Sequence, residues 1–358
     1  MTTYDLHAHA MSVQALDAMA AAHPDHAPRL IERGSDQFLE FPGRAAMGPL
    51  HPGMFDVDVR LADMDRQRVD VQLLSVPPSN FFYHLPAEVG AAFAAASNDA
   101  MAEVVWARPD RFQMFATLPL QDEAAALAEL DRVAALPHVR GVEIGTNVDG
   151  DDLDVDRLAY LWPALVEHDL PAWLHPDQRT IAGADRLTRY YLQNLIGNPL
   201  ETTIAIAALI FGGVLERHPG LRVGVVHGGG FTPYQIGRWR HGWQVRNEPR
   251  VKLRDTSPEA MLRRFTFDSL THDPASLRDL GERFDWANVV VGSDYPFDMG
   301  PADPVGELDS LGLDEAIRAA VTQGNAERFL RPSGNDAMRE PANARLTATA
   351  NELFDHAP

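Results

Sequence analysis

Eight short runs of β-branched and apolar residues recur along this chain, separated by segments with helical apolar spacing. The runs cover residues 4–9, 69–76, 112–118, 139–144, 172–175, 223–227, 265–268 and 289–293. The helical segments include 59–68, 87–106, 123–135, 157–168, 200–217 and 314–329. Apolar spacing of three and four argues helix, and short continuous apolar runs argue buried strands. Strictly alternating strand and helix favours a parallel sheet. Eight such units favour an α/β fold closed into a (β/α)8 TIM barrel over an open sheet. The turn after the first run is His7-Ala8-His9-Ala10, not the glycine pattern of a dinucleotide site.

Four of these runs put a His or Asp of a single candidate site at or just past their C-terminal end. The endings are Asp5-Leu6-His7-Ala8-His9, Trp173-Leu174-His175-Pro176, Val226-His227-Gly228-Gly229-Gly230 and Gly292-Ser293-Asp294-Tyr295-Pro296. In a parallel barrel the C-terminal strand ends share one mouth, where active sites lie. His7 and His9 are two apart on a strand, so both project from one face. With His175 and Asp294 they make three imidazoles and a carboxylate, a set suited to a divalent transition metal such as zinc. Burying Asp294 after Val289-Val290-Val291 is costly unless it is paired or coordinated. A helix cap before Pro296 is the alternative role for that residue.

His227 is left over as the acid–base group for metal-bound water, with direct ligation as the alternative. The three glycines behind it allow close backbone approach. Lys252 is the only lysine and lies far from the fourth run, so no lysine bridge between two ions can form. Glu143, on that run, reads as an inward polar residue, with bridging as its alternative. One ion is expected.

The chain has 358 residues, no cysteine and a formal net charge of −20. Disulfides, thiolate ligands and a cysteine nucleophile are therefore excluded. The charge argues against a nucleic-acid partner. It also means that an anionic substrate must be met by local arginines or a metal. No basic and apolar leader opens the sequence, and no uninterrupted apolar run matches a membrane span. A soluble, cytoplasmic protein with no membrane partner is the expectation. Residues 1–331 are read as the barrel, with about 11–55 inserted after the first strand as a small lid, and 332–358 as a C-terminal tail.

The Asp-x-His-x-His start, Leu-His-Pro, His-Gly-Gly-Gly and Gly-Ser-Asp-Tyr-Pro-Phe resemble the amidohydrolase superfamily. Within it they look most like the α-amino-β-carboxymuconate-ε-semialdehyde decarboxylase branch. Further likeness lies in Arg60-Leu61-Ala62-Asp63-Met64-Asp65, Glu201-Thr202-Thr203-Ile204-Ala205-Ile206 and Gly237-Arg238-Trp239-Arg240-His241-Gly242. The resemblance spans about 4–330. It implies a (β/α)8 barrel and non-oxidative decarboxylation without an organic cofactor. It implies that His7, His9, His175 and Asp294 bind one zinc, with manganese serving in some relatives, and that His227 activates the bound water. It further implies a homodimer in which Arg238 meets a substrate carboxylate, in some members across the subunit interface.

The chain departs from that branch near its second substrate arginine. His51 stands about where that arginine would fall, and Arg44 is close but out of register. Arg238, His51 and Arg44 are thus the candidate substrate contacts, and His227 and Asp294 the candidate proton donors. The expected substrate is a small unsaturated or aromatic carboxylic acid. A metal-dependent hydrolase or hydratase of the same fold is the alternative.

Overall fold

The computed structural model describes residues 2–331. The reading of 332–358 as a tail lies outside the described residues. β1 (Tyr4–His9) is followed by α1 (Val13–Ala22) and a hairpin of β2 (Arg29–Arg33) and β3 (Asp36–Glu40). The chain continues through α2 (Val57–Gln67), β4 (Val71–Ser75), α3 (Ala87–Ala107), β5 (Phe112–Ala116), α4 (Glu123–Ala134) and β6 (Val139–Gly145). A second hairpin, β7 (Asn147–Val148) and β8 (Asp151–Asp152), precedes α5 (Leu161–Glu167) and β9 (Ala172–His175). Then come α6 (Asn198–Phe211), α7 (Val214–Arg217), β10 (Val223–Val225), α8 (Thr232–Val245), α9 (Pro258–Leu262) and β11 (Phe265–Asp268). The last elements are α10 (Pro274–Phe284), β12 (Val289–Val290), α11 (Pro304–Asp309), α12 (Glu315–Ala319) and α13 (Asn325–Leu330).

Eight strands pair in the order β1-β4-β5-β6-β9-β10-β11-β12, each neighbour parallel. The ring closes where the Leu6 and His9 amides donate to Val291 and Tyr295 carbonyls at 3.0 and 2.7 Å. The eight apolar runs are therefore the eight barrel strands. They read as continuous rather than alternating because helices cover one face and the barrel interior the other. Along β9, a period of two places Trp173 on the same face as His175. Trp173 stacks with Phe115 and meets Phe329 of α13 edge-on, with ring centroids 5.7 Å apart in each case. This aromatic layer fills the barrel beneath the histidines.

The segment 200–217, expected as one helix, divides into α6 and α7. A Cβ at Gly212 would lie 2.3 Å from Asp154 Cβ, and Gly213 adopts φ +69°. α6 continues a π-helical turn, Gln193–Gly197. The combined helix Gln193–Phe211 is apolar and long enough to cross a membrane by composition. Here its buried face, with Glu201, Thr202, Ile206 and Ile210, packs on the barrel wall.

The insertion after β1 is regular where no period was legible. Ser12 caps α1 by accepting the Ala15 N–H. Leu16 and Met19 of α1 and Leu39 and Phe41 from the hairpin pack with Phe82, Val89 and Phe93 as a separate small core.

Candidate metal centre

His7 and His9 on β1, His175 at the end of β9 and Asp294 just past β12 converge, as their places in the sequence imply. Their ligand-type atoms all lie within 4.8 Å of one another, and all four residues are buried. Asp294 Oδ1 is 3.3 Å from His7 Nε2 and 3.2 Å from His9 Nε2. Each imidazole uses its Nδ1–H elsewhere. His7 donates to Asp268 Oδ2 at 2.8 Å, His9 to the Val76 carbonyl at 3.1 Å and His175 to the Pro176 carbonyl at 3.0 Å. Such bonds fix the tautomer and aim Nε2 inward.

Three Nε2 atoms and Asp294 Oδ1 are thereby buried without a hydrogen-bond partner. Buried polar atoms are normally paired, because leaving them bare costs free energy. A cation bound by all four removes that cost, so the donor set fits a divalent metal. The electrostatics agree. Burial alone would push His7 down, but Asp294 and Asp268 carry it up to about 10. Burial works against the Asp294 charge, yet His7 and His9 hold it well below the usual carboxylate range. The centre thus demands positive charge at its middle. Burial lowers His9, and burial with the neighbouring imidazoles lowers His175 strongly.

A buried chain of hydrogen bonds sets the positions of these ligands. Asp5 accepts the Ser293 hydroxyl at 2.6 Å, the Ser293 amide at 3.0 Å and the Gln72 amide at 2.9 Å. Arg60 donates to Gln72 Oε1 at 2.7 Å, to the Gly53 carbonyl at 3.1 Å and to the His9 carbonyl. One guanidinium therefore ties β1 to the end of the insertion, and Asp5 joins it to the Asp294 loop. Sequence reasoning noted Arg60 only as part of a motif and gave no role to Asp268. The signal for Asp268 was available: it is a carboxylate ending a buried strand, as Asp294 is a carboxylate just past one.

His227 follows β10, its ring 5.5 Å from His7 and 5.4 Å from His175. Burial, followed by His7, pushes it down to about 4, so the imidazole is neutral at neutral pH. Its Nδ1 is buried with no partner. The turn behind it needs glycine: a Cβ at Gly230 would come 2.2 Å from the Pro199 carbonyl oxygen, at φ +62°. Glu143 behaves as an inward polar residue. It accepts the Ser75 hydroxyl at 2.9 Å, and burial raises it to about 8. It is outside the four-residue cluster.

His227 and Asp294 line a common cleft of about 530 Å³ at the barrel mouth. Arg238 lies on the exposed side of α8, outside the lining of that cleft. Arg44 is on the insertion, stacked over Phe41 at 5.6 Å and within electrostatic reach of Arg179 and Asp177. His51 accepts the Gly53 N–H through Nδ1 at 3.1 Å and packs edge-on against Tyr295. The three candidate substrate contacts are thus not gathered in the cleft.

Residues 4–331 match the amidohydrolase family. The chain is 34% identical over 277 residues to the 2-amino-3-carboxymuconate-6-semialdehyde decarboxylase of Dictyostelium discoideum, covering 77% of each protein. It is 29% identical over 305 residues to the gamma-resorcylate decarboxylase of Rhodococcus jostii, covering 76% of this chain and 87% of the relative. Among solved structures, a dihydroxybenzoic acid decarboxylase from Polaromonas with bound manganese superposes with a TM-score of 0.74 at 19% identity. That match covers 94% of this chain and 99% of the other.

Proposed function

We propose that this chain, which belongs to the amidohydrolase family, is a metal-dependent decarboxylase of small unsaturated or aromatic carboxylic acids. The observation that carries the reading is the meeting of four bare, buried donor atoms, one of them on Asp294, which lines the same cleft as His227. The decarboxylase relatives, one acting on a muconate semialdehyde and one on a resorcylate, give the reaction class.

His7, His9, His175 and Asp294 would hold the cation, proposed to be zinc with manganese as a substitute; bound there, it supplies Lewis acidity toward substrate oxygens. The remaining chemistry belongs to the chain. Loss of carbon dioxide breaks a carbon–carbon bond and leaves the electron pair on the carbon skeleton. A proton must reach that carbon, and solvent restores the donor, so no oxidant or organic cofactor enters the balance. Asp294, or a water bound to His227, would hand over that proton.

The substrate carboxylate needs a cation, and a bidentate arginine suits it. Arg238 is exposed and unpaired among the described residues. In a homodimer it would serve the partner subunit's cleft. Exposed Tyr234, one turn before it on α8, supports that dimer. A light-scattering mass near 39.5 kDa, rather than twice that, overturns the dimer.

The test is carbon dioxide release from a panel of unsaturated and aromatic carboxylates by metal-loaded protein, with His227→Ala as control. Release that vanishes in the variant is the expected result. Substrate consumed with every carbon retained moves the assignment to a hydrolase or hydratase.

A further inference from the structure

Three side chains that line the mouth cleft contain a buried polar atom without a hydrogen-bond partner. They are Asp294 through Oδ1, His227 through Nδ1 and Asn198 through Oδ1. The first two are accounted for by the metal centre and the proton-transfer group. Asn198 belongs to neither, yet it is only 5% exposed. Its Oδ1 meets no partner among the described residues. A buried amide left bare is unfavourable, and such exceptions call for a ligand or a water.

The backbone around Asn198 is tightly held. Asn198 opens α6 directly after the π-helical turn Gln193–Gly197, and its carbonyl accepts the Thr202 hydroxyl at 3.2 Å. Before it, Gly197 packs so closely that a Cβ would come 2.6 Å from Ile181. After it, the Pro199 carbonyl abuts Gly230 of the His227 turn. The backbone that carries the amide is therefore held against the glycine turn that follows His227, and both residues line the same cleft. Extra-residue turns of this kind occur often at functional sites.

We propose that Asn198 is a specificity-determining residue whose amide reads a hydroxyl group of the substrate. This rests on the decarboxylase reading only in taking the cleft as the seat of the substrate. The lining contains Asp273, Asp279 and Asp294 but no arginine or lysine. A neutral group is therefore favoured there over a second anion. An amide offers both an acceptor and donors, and its two ends are interchangeable by a flip. A hydroxyl both donates and accepts, so it satisfies either orientation. Leu195, Phe231 and Leu270 supply apolar surface for the carbon skeleton.

The experiment is calorimetric binding of benzoate and of 2-, 3- and 4-hydroxybenzoate to zinc-loaded wild-type and Asn198→Leu proteins, with metal content and melting followed in parallel. In the wild type at least one hydroxy isomer should bind roughly tenfold or more tighter than benzoate. Asn198→Leu should bring that isomer to within about threefold of benzoate and leave benzoate itself unchanged, as expected when one hydrogen bond is removed. Should the leucine variant fail to fold, Asn198→Ser, which keeps a hydrogen-bonding group, should retain part of the preference. The proposal is overturned if the wild type shows no preference, if the preference survives in Asn198→Leu, or if all ligands weaken equally. Carbon dioxide release is read separately on the same samples. Discrimination without release sinks the decarboxylase reading and keeps the role of Asn198; release with the preference intact in the variant does the reverse.

Discussion

His7 and Asp268 meet in the barrel interior with imidazole Nδ1 2.8 Å from carboxylate Oδ2, and neither side chain is exposed to solvent. The other oxygen of Asp268 accepts the Gly228 amide at 2.7 Å. One carboxylate on β11 thus orients a candidate metal ligand and anchors the turn that presents His227.

Asp268→Asn keeps an acceptor for Gly228 and removes the charge behind His7. Metal affinity should fall about 10- to 100-fold, the usual cost of losing a carboxylate behind a ligating histidine. Competition with a chelator measures it. Affinity equal to the wild type means that the Asp268 charge does not tune the ligand.

Metal uptake should depend on pH through His7. Its pKa is raised to about 10 when Asp294 and Asp268 are its neighbours, so the imidazole is protonated at neutral pH before metal binds. Metal requires the neutral ring, so binding expels a proton. The sign follows: affinity rises with pH, by about tenfold per unit between pH 6 and 9, and levels near the raised pKa. Calorimetry in buffers of different ionisation enthalpy should count about one proton released. Affinity that is flat over this range contradicts the shift.

The barrel and the convergence of His7, His9, His175 and Asp294 were legible in the sequence because both obey short-range rules. A strand buried on two faces is a continuous apolar run, and a His or Asp at its end has one direction to face. Tyr4–His9, Ala172–His175 and Phe265–Asp268 even keep the expected bounds. What escaped depends on long-range packing. Arg60 sits on α2, and its partners, at Gly53, His9 and Gln72, come together only when the barrel closes. The insertion gave no period because α1 and a short hairpin share one small core. The helix break at Gly212–Gly213 follows from contacts with Asp154 and Lys252, distant in sequence.

Arg60→Met should test the buried hub. Burial pushes the guanidinium down to about 10, still charged at neutral pH, and its 2% exposure leaves no water to replace its partners. The variant strands the Gln72 amide and two carbonyls, so a loss of about 3–5 kcal/mol is expected. Denaturant unfolding measures the loss. Because Arg60 also holds the His9 carbonyl, metal affinity should fall in the protein that remains folded. Stability within about 0.5 kcal/mol of the wild type, the range of an ordinary surface change, would show the hub to be dispensable.

His227→Ala separates the two roles open to that imidazole. Its ring lies beside His7 and His175, yet it is outside the converging set of ligand atoms, and its Nδ1 faces no partner. If it moves a proton and does not ligate, the variant should bind one metal per chain with unchanged affinity. Its kcat should fall by about 10²–10⁴. Metal analysis and single-turnover kinetics on the same sample read both quantities. Loss of metal together with activity would instead make His227 a fifth ligand and leave Asp294 to deliver the proton.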